Sequence, residues 1–135
     1  MTLDEFIKRN NVTSTSRLVN ETVLDEIEKN NGLSFGKQLK KYVLEYGYLS
    51  YKHVELYGIN SNEIEDSDMI KQTLYIHKYY PITRGFIALE NQGEGDYYIV
   101  DENDNVYEYD SELAELSNKN IKVFDYILNR FVQVN

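Results

Sequence analysis

The stretch from Gly85 to Asp110, GFIALENQGEGDYYIVDENDNVYEYD, limits the fold more than any other part of the chain. Apolar and polar residues alternate in three short runs: Phe86 to Glu90, Asp96 to Asp101 and Asn105 to Asp110. A period of two marks a strand with one buried face. Turn residues fill the gaps, with Gly93 and Gly95 in the first and Asp101, Asn103, Asp104 and Asn105 in the second. Glycine adopts positive φ without steric cost, and Asn and Asp bond to nearby backbone, so both gaps read as turns between antiparallel strands. A two-residue turn at Asn103-Asp104 sets Val100 opposite Tyr107 and Tyr98 opposite Tyr109. All four side chains then share one face. That face needs cover, and the flanking helical segments can supply it.

The same region is lopsided in charge. No Lys or Arg lies between Arg84 and Lys119. That interval holds ten acids: Glu90, Glu94, Asp96, Asp101, Glu102, Asp104, Glu108, Asp110, Glu112 and Glu115. A concentration of one sign makes a field that acts on partners more than on fold. The whole chain carries −9, which argues against nucleic-acid binding through phosphate neutralisation and favours a basic partner. Thirteen Tyr and no Trp suit half-buried and interface positions, where an apolar body and a polar tip are both useful.

Most of the remaining segments read as helices. Thr2 to Arg9 opens with a cap and early acids, and a linker runs on to Ser16. Glu21 to Asn30 carries the stripe Val23, Leu24, Ile27 and stops at Asn30-Asn31-Gly32. Leu33 to Tyr46 has Ser34 as a candidate cap and Leu39, Tyr42, Val43 and Tyr46 on one face. His53 to Gly58 alternates and reads as a strand. Asn60 to Asp66 is an acidic loop. Ser67 or Asp68 caps a helix through Tyr79 or Tyr80, with Ile70, Leu74, Tyr75 and Lys78 at helical spacing, and Pro81 ends it. Ser111 to Ser117 reads as a helical turn. Asn120 to Val132 closes the chain with the stripe Ile121, Phe124, Ile127, Leu128 and Phe131.

A chain of 135 residues suits one domain, 1–135, with 1–16 as an N-terminal helix and linker. It has no cysteine, hence no disulfide framework and no thiolate site. The opening MTLDEFIKRNN lacks the pattern of a signal peptide, and no apolar run is long enough for a membrane span, so a cytoplasmic location is expected. Catalytic signals are missing. His53 and His77 stand far apart, and no GxSxG, phosphate-binding loop or GxGxxG is present. Asp101, Asn103, Asn105 and Glu112 fall at calcium-loop spacing. Val106 stands where that loop needs Gly, and the following residues alternate as a strand. No metal, cofactor or enzymatic activity is expected, and the weight moves to a binding role.

The order of segments resembles the SUKH superfamily, a group named partly after a cell-wall-assembly regulator. The first likeness is DEIEKNNGLSFGKQLKKYVLEYG, Asp25 to Gly47. There Leu39, Tyr42-Val43 and Tyr46-Gly47 fill the family's later positions, and Phe35-Gly36 replaces its usual Leu-Pro. The second is the helix before Pro81 followed by RGFIALENQGEGDYYIVDENDNVYEYD, and the closing helix Asn120 to Val132 also fits. The likeness runs from about Val12 onward. It implies an α+β fold: an antiparallel sheet of about four or more strands with helices packed mainly on one face. It also implies an immunity protein that binds and neutralises a cognate polymorphic toxin, often a nuclease, with no catalytic centre. A basic nuclease cleft is complemented by an acidic plug. The residues expected to meet the toxin are Glu94, Asp96, Asp101, Glu102 and Asp104, as one acidic edge. The alternative is a general interaction or scaffold module with no toxin partner.

Overall fold

The computed structural model describes residues 1–60 and 67–135. The expected acidic loop, apart from Asn60, lies outside the described residues. The chain forms α1 (Leu3–Arg9), α2 (Glu21–Asn31), α3 (Lys37–Tyr46), β1 (Ser50–Tyr51), β2 (Val54–Glu55) and α4 (Met69–Tyr79). After a single 3-10 turn at Pro81–Thr83 come β3 (Ile87–Asn91), β4 (Asp96–Val100), β5 (Asn105–Asp110), β6 (Glu115–Lys122) and α5 (Val123–Val134). The last four strands make an antiparallel meander in the order β3-β4-β5-β6, and β1 and β2 form a small hairpin. The α+β class is as expected.

Local chemistry sets most helix ends. Thr2 accepts from Glu5 N, Asn20 from Val23 N and Asp68 from Lys71 N, each as an N-cap. Gly32, at φ 63°, closes α2 in the left-handed region. The N-terminus of α3 is different. Its cap residue, Gly36, offers no side chain, and Asp104 serves instead from far along the chain. The Asp104 carboxylate accepts from Gln38 N and Leu39 N, both at 3.0 Å. A Cβ on Gly36 would lie 2.5 Å from Asp104 Oδ1, so Gly36 is what lets Asp104 approach. Gln38 in turn accepts from Phe124 N at 2.9 Å, capping α5, whose own cap residue Lys122 makes no such bond. The β4–β5 turn, α3 and α5 are thus locked by successive side-chain caps.

The β4–β5 register differs from expectation by one residue. Val100 pairs with Val106, Ile99 with Tyr107 and Tyr97 with Tyr109. The loop has four residues, Asp101 to Asp104, because the Asp101 carboxylate gathers Asn103 N and Asn105 N. A shift of one residue moves every side chain to the other face. Tyr98 and Val100 therefore lie on one face, and Tyr107 and Tyr109 on the other.

The Tyr98 face is covered by α5. Tyr126 stacks on Tyr98 with centroids 5.4 Å apart, and α5 packs against α1 and α3. Glu90, paired with Tyr98 in register, accepts from Tyr126 Oη at 2.6 Å and from Arg130 Nη2 at 2.6 Å. Both Glu90 and Arg130 are largely withdrawn from water, so this bidentate pair ties β3 to α5 through a desolvated contact. On the other face Tyr80, just after α4, packs on Tyr97 and Tyr109.

The outer edge of β3 is occupied. Thr73 Oγ1 of α4 accepts from Ala88 N at 2.9 Å, and Tyr57 N donates to Leu89 O at 2.7 Å. Fully buried Tyr42 donates to Tyr57 O and accepts from Leu49 N, fixing the hairpin region to α3. Where Ser111 to Ser117 reads as a helical turn, the structure has a tight turn and then β6. Residues 53–58 contribute only Val54–Glu55 as a strand, with Lys52 and His53 in the hairpin turn. One contiguous apolar cluster runs from Leu3 and Phe6 through the sheet to Phe131. Among the described residues, no helix is long and apolar enough to cross a membrane.

Candidate partner-binding surface

The five acids expected to form one edge lie at opposite ends of the meander. Glu94 and Asp96 belong to the β3–β4 end, and Asp101, Glu102 and Asp104 to the β4–β5 end. The five residues of β4 separate the two sets by about 17 Å, at about 3.3 Å per residue. Nor are all five free to meet a partner. Asp104 is buried and spent on the α3 cap, and Asp101 accepts from Asn103 N, Asn105 N and Asn105 Nδ2. Glu102 is exposed and alone of the three at that end projects unspent charge.

At the other end two turns are fastened together. Gly93, Glu94 and Gly95 all have positive φ, and Asp96 N donates to Gly93 O at 3.0 Å. Ser111 N of the β5–β6 turn donates to Gly95 O at 3.0 Å. Gly95 holds φ at 79°, which glycine takes without strain, and a Cβ there would lie 2.1 Å from Ser111 Oγ, so the Ser111 hydroxyl would have to turn away. The Asp110 carboxylate braces its own turn by accepting from Glu112 N and Leu113 N.

The consequence is an open acidic groove of about 550 Å³, lined by Gln92, Gly93, Glu94, Asp96, Glu108, Asp110 and Glu112. Asp96 pairs with Asp110 in register, and Glu108 lies on the same face. Glu108 pairs with Lys119 at 3.3 Å. Among the described residues Asp96 Oδ1 is buried without a hydrogen-bond partner. Burial, then the neighbouring Glu108, pushes the Asp96 carboxyl up to about 6, while the bond with Asp96 holds Glu108 below the usual range. The two carboxylates behave as a pair that resists full ionisation, and a cation from a partner would relieve it. Glu108, Asp110 and Glu112 stood among the ten acids of the interval. The signal that would have singled them out is the correct register, which sets Asp96 opposite Asp110.

The family model described as SUKH_5: SMI1-KNR4 cell-wall matches residues 2–132. The chain belongs to the SUKH_5 family. The match covers the helices, the meander and most of α5, so the SUKH assignment rests on the whole fold and not on one motif. The comparison with curated proteins gives no match. The family suggests a protein partner in general terms and leaves open which surface meets it.

Gly36 stands where the resemblance places proline, and the structure gives a reason: a Cβ there would lie 2.5 Å from Asp104 Oδ1. Phe35 N, one residue earlier, donates to Glu28 Oε2 at 2.9 Å.

Proposed function

We propose that this SUKH_5 protein is an immunity protein: it binds a cognate toxin with a basic site, such as that of a nuclease, and occludes it. It acts by binding, without a cofactor or catalysis of its own, in the cytoplasm where such a toxin would do damage. The observation that carries the reading is the acidic groove at the Gly93–Gly95 end. Glu94, Asp96, Asp110 and Glu112 converge there with no Lys or Arg in the lining, and Asp96 keeps a buried oxygen unpartnered. A nuclease must present Lys or Arg to phosphates. Such a cleft and this groove attract each other over distance and can exchange water for charge-assisted hydrogen bonds on contact.

The proposed contact set differs from the five acids expected from the sequence. Glu94 and Asp96 remain, joined by Glu108, Asp110 and Glu112. Glu102 contributes only to the long-range field, and Asp101 and Asp104 serve the fold.

The test is co-expression with the protein encoded immediately beside this gene, scored by rescue of growth and by co-purification. Rescue with a stable complex is expected. An active toxin that is neither neutralised nor bound would refute immunity for that pair and favour the scaffold reading.

A further inference from the structure

The outer side of α4 departs from what an exposed helix face normally carries. Leu74, Tyr75 and Tyr79, with Ile82 of the following turn, keep between 41 and 56 % of their surface in water. Core spacing predicted Leu74 and Tyr75 inside, but the helix buries Met69, Thr73 and Ile76 instead. The Tyr75 and Tyr79 rings lie against each other at 4.7 Å, one turn apart, forming a ready-made aromatic shelf. Lys78 sets its ammonium 5.3 Å from the Tyr79 ring centre, and exposed Arg84 follows the turn. From Met69 to Leu89 the sequence contains no Asp or Glu, although the chain as a whole carries −9. The face is therefore apolar, aromatic and cationic, on a molecule that is otherwise acidic.

A contiguous exposed apolar patch marks an interaction surface more often than a lone exposed Leu does. Tyr is among the residues that dominate binding energy at interfaces, and Lys or Arg at the rim selects the partner's charge. We propose that the Leu74–Tyr75–Tyr79–Ile82 face is a docking site for a protein segment that presents an apolar side chain flanked by Asp or Glu. Charge decides the occupant. A second copy docked through the same face would gather the Lys78 and Arg84 cations of both copies into one interface. Nucleic acid would bring many phosphates to a chain whose overall field repels them. An acidic segment meets neither obstacle. The face is separate from the acidic groove, and its occupant has the opposite charge from the proposed toxin cleft, so the inference stands or falls independently of immunity.

A surface-displayed library of random peptides, selected on the full-length protein and counter-selected on the Tyr75→Ala/Tyr79→Ala variant, tests this. Fluorescence polarisation then measures the selected peptides on wild type, on that variant and on Lys78→Glu/Arg84→Glu. Circular dichroism checks folding, and Tyr79→Ser and Arg84→Glu alone replace any double variant that does not fold. The expected result is peptides with Asp or Glu beside a large apolar residue. Their binding should fall about tenfold or more in each variant and weaken with salt. The proposal is overturned if no wild-type-specific peptide emerges, if the peptides lack acids, or if either substitution set leaves binding unchanged. It is also overturned if the wild type, but not the tyrosine variant, self-associates in sedimentation or binds a labelled single-stranded oligonucleotide.

Discussion

The two acidic ends of the meander have similar composition and opposite uses. At the β4–β5 end, Asp101 and Asp104 turn inward: one builds the loop and the other caps α3. At the β3–β4 and β5–β6 end, Glu94, Asp96 and Glu112 line open space beside Asp110, and Asp96 carries an unpaired oxygen. The difference lies in what stands opposite. A helix N-terminus with unsatisfied N–H groups faces Asp104, and its positive end suits a carboxylate. Asp96 instead faces Asp110 across the sheet, in a groove whose lining holds no Lys or Arg among the described residues. A cluster of acids in a sequence therefore divides into groups that hold the fold and groups that make a field, and only the three-dimensional neighbours tell them apart.

The largest effect is expected where an acid is structural. Asp104→Ala removes two charge-assisted bonds to the start of α3, the one from Leu39 N buried and the one from Gln38 N part-buried, for a loss of about 2–4 kcal/mol in urea unfolding. Asp104→Asn should recover part of it, and toxin affinity per folded molecule should not change. Gly95→Ala should cost about 1–3 kcal/mol, because it combines a positive φ with a collision at Ser111. Its secondary effect would be to part the two turns and weaken toxin binding, which Asp104→Ala should not do.

Asp96 separates the ends by pH. Its carboxyl is raised to about 6 in the folded chain from an ordinary 3.8. The folded state then binds more protons between those values. Its stabilising contribution is complete below the lower value and is lost as pH rises through about 6. Asp96→Asn should therefore raise the urea midpoint at a pH well above 6, with the gain fading as pH falls towards the lower value. An increase that did not vary with pH would point to packing instead of charge.

Smaller still is the effect on stability of reversing exposed charges. Glu94→Lys and Glu102→Lys should each shift unfolding by no more than about 0.5 kcal/mol, since neither makes a structural contact that burial would amplify.

Much of the fold was legible because it is written in local chemistry. The helix α2 between Asn20 and Gly32, the cap at Asp68, the stop at Pro81 and the strand Asn105–Asp110 all follow from neighbours along the chain. The errors arose where distant residues decide. Asp104 looked like a turn residue and is also the cap of a helix 65 residues away in sequence to Leu39. The Asp101 carboxylate, gathering Asn103 N and Asn105 N, lengthened the loop and moved the register. Leu74 and Tyr75 looked like core because the spacing admits two adjacent faces, and the choice between them is made by Thr73 bonding Ala88 on β3. Glu115–Lys122 has little apolar alternation and becomes a strand through pairing with β5, with an irregularity between Asn105 and Tyr107 in the register and Asn120 at positive φ. The site was legible as a charge excess, not as a place.

The most direct test is the affinity for the toxin of two variants carrying the same substitution at opposite ends, Glu94→Lys and Glu102→Lys, each measured at low and high salt. Glu94→Lys should weaken binding about tenfold and flatten its salt dependence, while Glu102→Lys should change it little. Equal losses, or a greater loss from Glu102→Lys, would contradict the assignment of the toxin to the Gly93–Gly95 groove.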